Sequence, residues 1–475
     1  MERAAGACTR WLIETLGTHK NFIVICGTGN NGGDGLAITR QLVAKGCMAR
    51  AILIQPQQKP LSADAANNLN RLPKDVVCTA GLNPVLPLEP EAVLVDCLFG
   101  IGLNRPLGAE YKPWVDHINN HAGVVVSIDL PSGLLADAPT PPGSLVVKAT
   151  YTLSFETYKL ALLAAPNAQC IGTVHILSIG LSLSFWKHCR PYNHFTQLSD
   201  ARQWYRPRHR FSHKRHFGHG VVIAGSKGMM GAALMAVQSC LRSGVGLCTA
   251  VVPQCGYEMM QLKNPEAMCL TDADDDACIT NRTTLPQNTS AVCVGPGLGN
   301  DVRTEQAVLR FIESTPYLMV VDADGLNTLS RNENYLRRLP TGSIITPHPK
   351  EFARLFHCSL DWWEQMGIAL TQAQSLQVVV VLKGHHSVLA LPDGTCWFNT
   401  TGNSALAKGG SGDVLAGLIT GLLAQGYPAA DAARLGVWLH GRAADIALKD
   451  WAPEYFLPTD LNRYLSAAFQ ELAEQ

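Results

Sequence analysis

With 475 residues the chain is longer than one core of ordinary size supports, so two domains are expected. Lys+Arg and Asp+Glu both number 38, and a net charge of zero excludes a general electrostatic pull toward nucleic acid or anionic lipid. What remains is small-molecule chemistry in a cytoplasmic protein: no run reaches the ~20 apolar residues of a membrane span, and the 15 cysteines stand singly, without a CxxC pair, as buried thiols.

Short apolar runs recur through the first part of the chain: NFIVICG at 21–27, ARAILIQ at 49–55, AVLVDCLFG at 92–100, GVVVSIDLPSG at 123–133 and GTVHILSIG at 172–180. Continuous hydrophobicity marks parallel strands covered on both faces. Helix-like segments between them, such as DGLAITRQLVAKG, complete the βαβ units of a Rossmann-like doubly wound sheet over residues 1–186. The pattern then breaks into KHCRPYNHFTQLSDARQWYRPRHRFSHKRHFGH, rich in Arg, His and aromatics. Residues 187–213 are assigned as a linker, mostly a solvated hinge, with Lys214 and His219 as the basic residues to watch for phosphate contact. A second βα series, residues 214–475, begins with GVVIAGS and AALMAVQSCLRSGVG. It runs through LCTAVVP, AVCVGPG, YLMVVDADG, SIITPHPKE and QVVVVLKG to helical segments after GGSGD.

The first strand enters Gly27-Thr28-Gly29-Asn30-Asn31-Gly32-Gly33-Asp34-Gly35, which satisfies GxGxxG. The acidic residue that would hold a ribose diol ~20 residues further on is missing, because the second strand ends Ile54-Gln55-Pro56-Gln57; ordinary NAD binding is disfavoured. A turn of backbone amides at a helix start suits a phosphate-bearing substrate, with Asn30, Asn31 and Asp34 as oxygen donors. Asp96 and Asp129-Leu130-Pro131-Ser132-Gly133 end parallel strands and converge on one sheet edge. Their carboxylate and hydroxyl oxygens suit a hard cation, although a strand-end Asp also caps turns.

GNNGGDG, DCLFGIG and SIDLPSG, in this order, resemble the epimerase domain of the bifunctional NAD(P)H-hydrate repair enzymes over nearly all of residues 1–180. The resemblance implies that Asn30, Asn31, Gly32, Gly33 and Asp34, with Gly100, Ile101, Gly102, Leu103, Asn104, Arg105 and Pro106, surround the hydrated nucleotide. It also implies that Asp129 is the acid/base and that Asn31, Asp96 and Ser132 bind K+. Ile101 stands where a small hydroxyl residue is usual, and Tyr158-Lys159-Leu160 replaces a Lys-Pro-Gly turn. The family carries a further helical segment ahead of Met1, so an incomplete epimerase pocket and slow conversion of the R epimer are expected.

Further on, Gly409-Gly410-Ser411-Gly412-Asp413 opens a helix whose first amides and dipole favour an anion, and Asp413 can take the proton of an attacking hydroxyl. This GGxGD pattern, with PGLG at 296–299, DADGLN at 322–327, TPHPKE at 346–351 and LKG at 382–384, resembles the ribokinase-like ADP-dependent NAD(P)H-hydrate dehydratases over about residues 205–465. The resemblance implies a ribokinase-like α/β sandwich in which Ala232 and Gly297 line the hydrate pocket and His348 contacts the substrate. Lys383, Gly384, His385, His386 and Ser387, with Gly412, would hold ADP or ATP with Mg2+, and Asp413 would be the catalytic base. His385-His386 replace two small residues, and tighter nucleotide binding below about pH 6.5 follows from imidazole protonation. Lys350 likewise replaces a glycine.

The implied function is repair of NADH or NADPH hydrated at C6: epimerisation of the R and S forms in the first domain, ADP- or ATP-dependent dehydration of the S form in the second. The rival reading is a vitamin-precursor kinase with a non-catalytic N-terminal nucleotide-binding domain. Small-molecule partners, no nucleic acid, no membrane and a homo-oligomer are expected.

Overall fold

The structure, a computed structural model, describes residues 1–56, 60–84, 89–182, 184, 188–189, 191–272, 274–281 and 284–474. Gln57 at the end of the second predicted strand, and Lys187 and Arg190 of the basic stretch, lie outside the described residues. The chain divides into two compact units, Met1–Arg190 and Pro191–Gln475.

In the first unit, strands β1 (Asn21–Cys26), β2 (Met48–Ile54), β3 (Val77–Ala80), β4 (Val93–Cys97), β5 (Val125–Ile128), β6 (Tyr151–Phe155) and β7 (Thr173–Leu177) form one parallel sheet. Their order is β3-β2-β1-β4-β5-β6-β7. The order reverses between β1 and β4, which opens a crevice at their C-terminal ends. The helix Asn30–Ala44 starts at that crevice and buries Leu36, Ile38 and Leu42 in a core shared with Phe22 and Val24 of β1. Two strands are additional to the apolar runs. In β6 the buried Thr152 and Ser154 interrupt the run, while β3 is a short edge strand.

The second unit holds ten strands: β8 (Asn193–Phe195), β9 (His219–Ile223), β10 (Leu247–Pro253), β11 (Met268–Asp272), β12 (Ala291–Val294), β13 (Leu318–Val321), β14 (Ile344–Ile345), β15 (Val379–Leu382), β16 (Val388–Ala390) and β17 (Cys396–Phe398). Their order is β11-β10-β9-β12-β13-β14-β15-β16-β17-β8, and only β16 runs antiparallel to its neighbours. The assigned linker is corrected here. Its residues 193–195 form β8, paired with β17, and the helix Leu198–Trp204 follows. The Arg434 guanidinium lies 4.4 Å from the Trp204 ring and 4.6 Å from that of Trp397, on which His194 stacks at 4.2 Å. Arg, His and aromatic contacts anchor this segment, so it lacks the apolar period that marks a strand or helix.

Lys214 and His219 both stand away from the crevice. Lys214 opens a short 3-10 turn, Lys214–Phe217, ahead of β9. His219 is a buried first residue of β9, its ring nitrogens 2.7 Å from Thr249 Oγ1 and 3.1 Å from Asn288 Oδ1. Both stand at strand N-terminal ends, the edge opposite the crevice that parallel α/β sheets use. All 15 cysteines are free thiols. Among the described residues no helix is long and apolar enough to cross a membrane.

The apolar helix Ser411–Ala424 packs against the helix Met230–Arg242 in the core of the second unit. The approach is close at Gly417, where a Cβ would lie 2.0 Å from the Ala236 carbonyl oxygen. Gly417→Val is therefore expected to destabilise this unit by about 3 kcal/mol or more through overpacking. Thermal denaturation checks this, and an unchanged midpoint would mean that the two helices separate freely.

Candidate active sites

The first site is at the C-terminal edge of β1, β4 and β5. Asp96 near the end of β4 is fully buried, and its carboxylate accepts hydrogen bonds from Leu98 N (3.2 Å), Ser127 Oγ (2.8 Å), Ser132 N (2.9 Å) and Ser132 Oγ (2.6 Å). Burial pushes the Asp96 carboxyl up, against the bonds from Ser132, Ser127 and Leu98 that favour its charged form. Asp129 follows β5 in the left-handed region, at φ 70°, a strained conformation of the kind that clusters at functional sites. Its Oδ2 accepts the Ile101 N–H at 3.1 Å, and its Oδ1 lies 3.0 Å from Lys159 Nζ. Lys159 also donates to Ser154 Oγ at 2.8 Å and to the Phe155 carbonyl at 3.0 Å.

Gly100 lies between Asp129 and Asn31: a Cβ there would come within 2.9 Å of Asp129 Oδ2 and 3.2 Å of Asn31 Cγ. Asn31 Nδ2 and Asp34 Oδ1 are buried without a hydrogen-bond partner. Burial first, and then the Asp129 carboxylate, push Asp34 up to about 7. The fold thus brings Asn31, Asp34, Asp96, Gly100, Asp129 and Ser132 to one edge. Gly32 and Gly33 lie buried in the helix start, whereas Asn30, Gly102, Asn104, Arg105 and Pro106 are exposed around it and Leu103 is half-buried. The Ile101 side chain is 55% exposed. Lys159 was legible only as the lysine retained in an altered turn.

The second site is a cavity of about 1000 Å³. Gly410 caps the helix Ser411–Ala424 at φ 103°; a side chain there would be strained, with its Cβ 2.7 Å from Met235 Sδ. Asp413 stands in the first turn. Burial, then the Asp322, Asp324 and Glu351 carboxylates, outweigh Lys383 and push it up to about 7. Lys383 Nζ is 2.7 Å from Asp322 Oδ1 and 3.9 Å from Glu351 Oε2. Burial opposes the charge of Lys383, but Asp322 and Glu351 prevail and raise it. The next residue after Asp322, Ala323, is left-handed at φ 46°, a second strained non-glycine at a strand end.

His348 caps the helix Pro349–Phe356. Its Nδ1 accepts the Lys350 and Glu351 N–H groups at 3.1 and 3.2 Å, so the proton of the neutral ring is on Nε2. Glu351 Oε2 accepts the His348 N–H in return, at 2.8 Å. Sequence reasoning gave Glu351 no role, although His-x-x-Glu has the spacing of a capping box. It also missed His440, which lies inside an apolar helix and carries no local signal. His440 Nε2 donates to the Ser411 carbonyl at 2.9 Å, and burial first holds this imidazole down to about 4.

Lys383, Gly384, His385, Ser387, His348, Gly412 and Asp413 all line the cavity. His386 does not: its Nδ1 meets the Asn399 carbonyl at 3.1 Å, and burial, then His385, lower its pKa. The expected pH effect moves accordingly. A group with a lowered pKa gains its charge only as pH falls below the ordinary ~6.5. Wild type and His386→Ala are expected to bind ADP alike above pH 6.5 and to diverge only below it. Calorimetry checks this, and an equal difference on both sides of pH 6.5 would assign it to the Asn399 contact instead of to charge. Ala232 and Gly297 meet each other, a Cβ on Gly297 coming within 2.9 Å of Ala232 Cβ, but neither is in the cavity lining.

Residues 220–467 match the family model described as NAD(P)H-hydrate dehydratase, and residues 1–161 the model described as YjeF-related protein N-terminus. The whole chain is 34% identical to the bifunctional NAD(P)H-hydrate repair enzyme of Thermofilum pendens and covers 92% of it. Over 93% of the chain it is 33% identical to the Escherichia coli enzyme of the same name, of which it covers 84%. Among solved structures, the ADP/ATP-dependent NAD(P)H-hydrate dehydratase from Bacillus subtilis co-crystallised with ATP and Mg2+ is similar at a TM-score of 0.52 and 31% identity. That likeness covers 59% of this chain and 98% of the other.

Proposed function

The chain belongs to the bifunctional NAD(P)H-hydrate repair enzymes, and from that premise we propose how its residues divide the work. The enzyme acts on hydrated NADH and NADPH, interconverting the R and S hydrates and dehydrating the S form with ADP or ATP. The vitamin-precursor kinase reading is not favoured, because both halves match repair enzymes.

One observation carries the proposal for the second unit: a carboxyl poised near neutrality, Asp413, in the first turn of a glycine-opened helix that faces a large cavity. There Asp413 removes the C6 hydroxyl proton while that oxygen attacks the terminal phosphorus of the nucleotide. The amides of Gly410 to Gly412 hold the transferred phosphoryl group. Loss of phosphate from C6 and of a proton from C5 then restores the ring double bond, and phosphate leaves far more readily than hydroxide. His348 offers Nε2–H to the substrate, Ala232 and Gly297 shape the adjoining pocket, and Gly384, His385, Ser387 and Gly412 contact the nucleotide. Lys383 pairs with Asp322 in the wall of the same cavity, and the His386 ring meets the Asn399 carbonyl. Mg2+, when bound with the nucleotide, would neutralise polyphosphate charge.

In the first unit Asp129 is the acid/base at C6, with Asn30 to Asp34 and Gly100 to Pro106 around the substrate. Asn31, Asp96 and Ser132 are the proposed K+ ligands. All three offer hard oxygens, and one carboxylate suits a monovalent ion. A K+ held by these residues would supply positive charge for an anionic substrate. The reading includes a cytoplasmic homo-oligomer without nucleic-acid or membrane partners, in keeping with the zero net charge.

Incubation with mixed NADH hydrates and ADP tests the whole, following NADH absorbance and each epimer by chromatography. Recovered NADH is expected; accumulation of a phosphorylated hydrate would favour the kinase.

A further inference from the structure

We propose that Lys408 is the phosphate-binding lysine of the dehydratase cavity, its ammonium taking an oxygen of the nucleotide polyphosphate. The proposal rests on the assignment of this cavity to ADP or ATP. Two lysines line the cavity, and their surroundings differ. Lys383 is neutralised within the protein by Asp322 at 2.7 Å, with Glu351 at 3.9 Å. Lys408 makes no ion pair among the described residues. It donates to two neutral acceptors, the carbonyls of Glu454 at 2.7 Å and of Phe456. An ammonium has three donors, so a third remains.

The place of Lys408 strengthens the case. It immediately precedes Gly409, and three residues later begins the helix Ser411–Ala424; Ser411 N turns back to the Lys408 carbonyl at 3.3 Å, and the first-turn amides after it carry partial positive charge. A full charge added here, without a carboxylate to balance it, is repelled by that end of the helix and is stabilised by an anion. Ser411 Oγ, also in the cavity wall, is buried without a partner. The same ammonium fixes the segment Glu454–Phe456 beside the glycine turn; the Pro458 Cβ lies 3.5 Å from the position of a Cβ on Gly410. Lys408 is therefore held in place by the fold at two donors, which leaves little ordering for its third donor on binding an anion. A single charge-assisted hydrogen bond of this kind changes affinity by roughly tenfold or more.

Calorimetric titration of wild type, Lys408→Gln and Lys408→Arg with adenosine, ADP and ATP tests the assignment. Adenosine affinity is expected to stay within about twofold across the three proteins, since it carries no phosphate. ADP and ATP should weaken about tenfold in Lys408→Gln and recover most of the loss in Lys408→Arg, the magnitude following a charge-assisted hydrogen bond. Equal weakening of adenosine and ADP would reduce Lys408 to a structural tether, and unchanged ADP affinity would remove it from the site. If wild type shows no saturable ADP binding, the nucleotide assignment itself falls. A second measurement needs no variant: pulse acetylation of wild type, read by mass spectrometry. Pyrophosphate and ADP, but not adenosine, should protect Lys408, and labelling of Lys408 that is indifferent to pyrophosphate would overturn the proposal.

Discussion

Asp413→Asn is expected to lower ADP-dependent dehydration at least ~100-fold, the usual contribution of general-base catalysis, while making the second unit more stable above neutral pH. An amide cannot accept the hydroxyl proton, and nothing else in the first turn of that helix carries a base. The wild-type rate should rise with pH and level off above about 7, where Asp413 is ionised in the folded enzyme. The stability effect has the opposite dependence. With its carboxyl pushed up to about 7 against an ordinary value of ~3.9, the folded protein retains a proton that the unfolded chain has released. Between pH ~4 and ~7 this group therefore costs stability progressively as pH rises, and the full cost persists above that range. Asn removes the cost, so the thermal midpoint of the variant should exceed that of wild type at pH 8 and approach it at pH 4. Near-normal turnover by the folded variant would end the proposed role of Asp413. A pH-independent difference in midpoint would mean that its carboxyl is not desolvated.

Asp129→Asn should abolish consumption of the R hydrate, by at least ~100-fold, and leave dehydration of the S hydrate intact. Asn is the informative replacement because it tolerates the left-handed backbone that Asp129 adopts at φ 70°, so chemistry is lost without added strain. Lys159, 3.0 Å away, loses its charged partner but keeps its bonds to Ser154 and Phe155. Each unit has its own sheet and core, so the second site has no structural reason to respond. Chromatography of the two epimers during turnover decides the matter. R consumption at the wild-type rate would exclude Asp129 as the acid/base, and parallel loss of S dehydration would show that the two activities are coupled.

The sequence by itself determined the parallel first sheet and the parallel run of strands in the second, because strands buried on both faces are written as unbroken apolar runs such as NFIVIC and VVVL. It also placed Asp96 and Asp129 on one edge, since parallel strands share a polarity, and set Asp413 in the first turn of a helix opened by glycines. Those features follow from local periodicity and chain direction. Contacts between residues far apart in the chain were decided only by the tertiary structure. It turned His386 to the Asn399 carbonyl, buried His219 between Thr249 and Asn288, and set His440 under Ser411. It made residues 193–195 a sheet edge through Trp397 and Arg434, and it gave Lys383 to Asp322 while leaving Lys408 to carbonyls. In each case a polar or aromatic side chain can serve several partners with similar energy, and which partner it takes depends on which groups packing brings within a few ångströms.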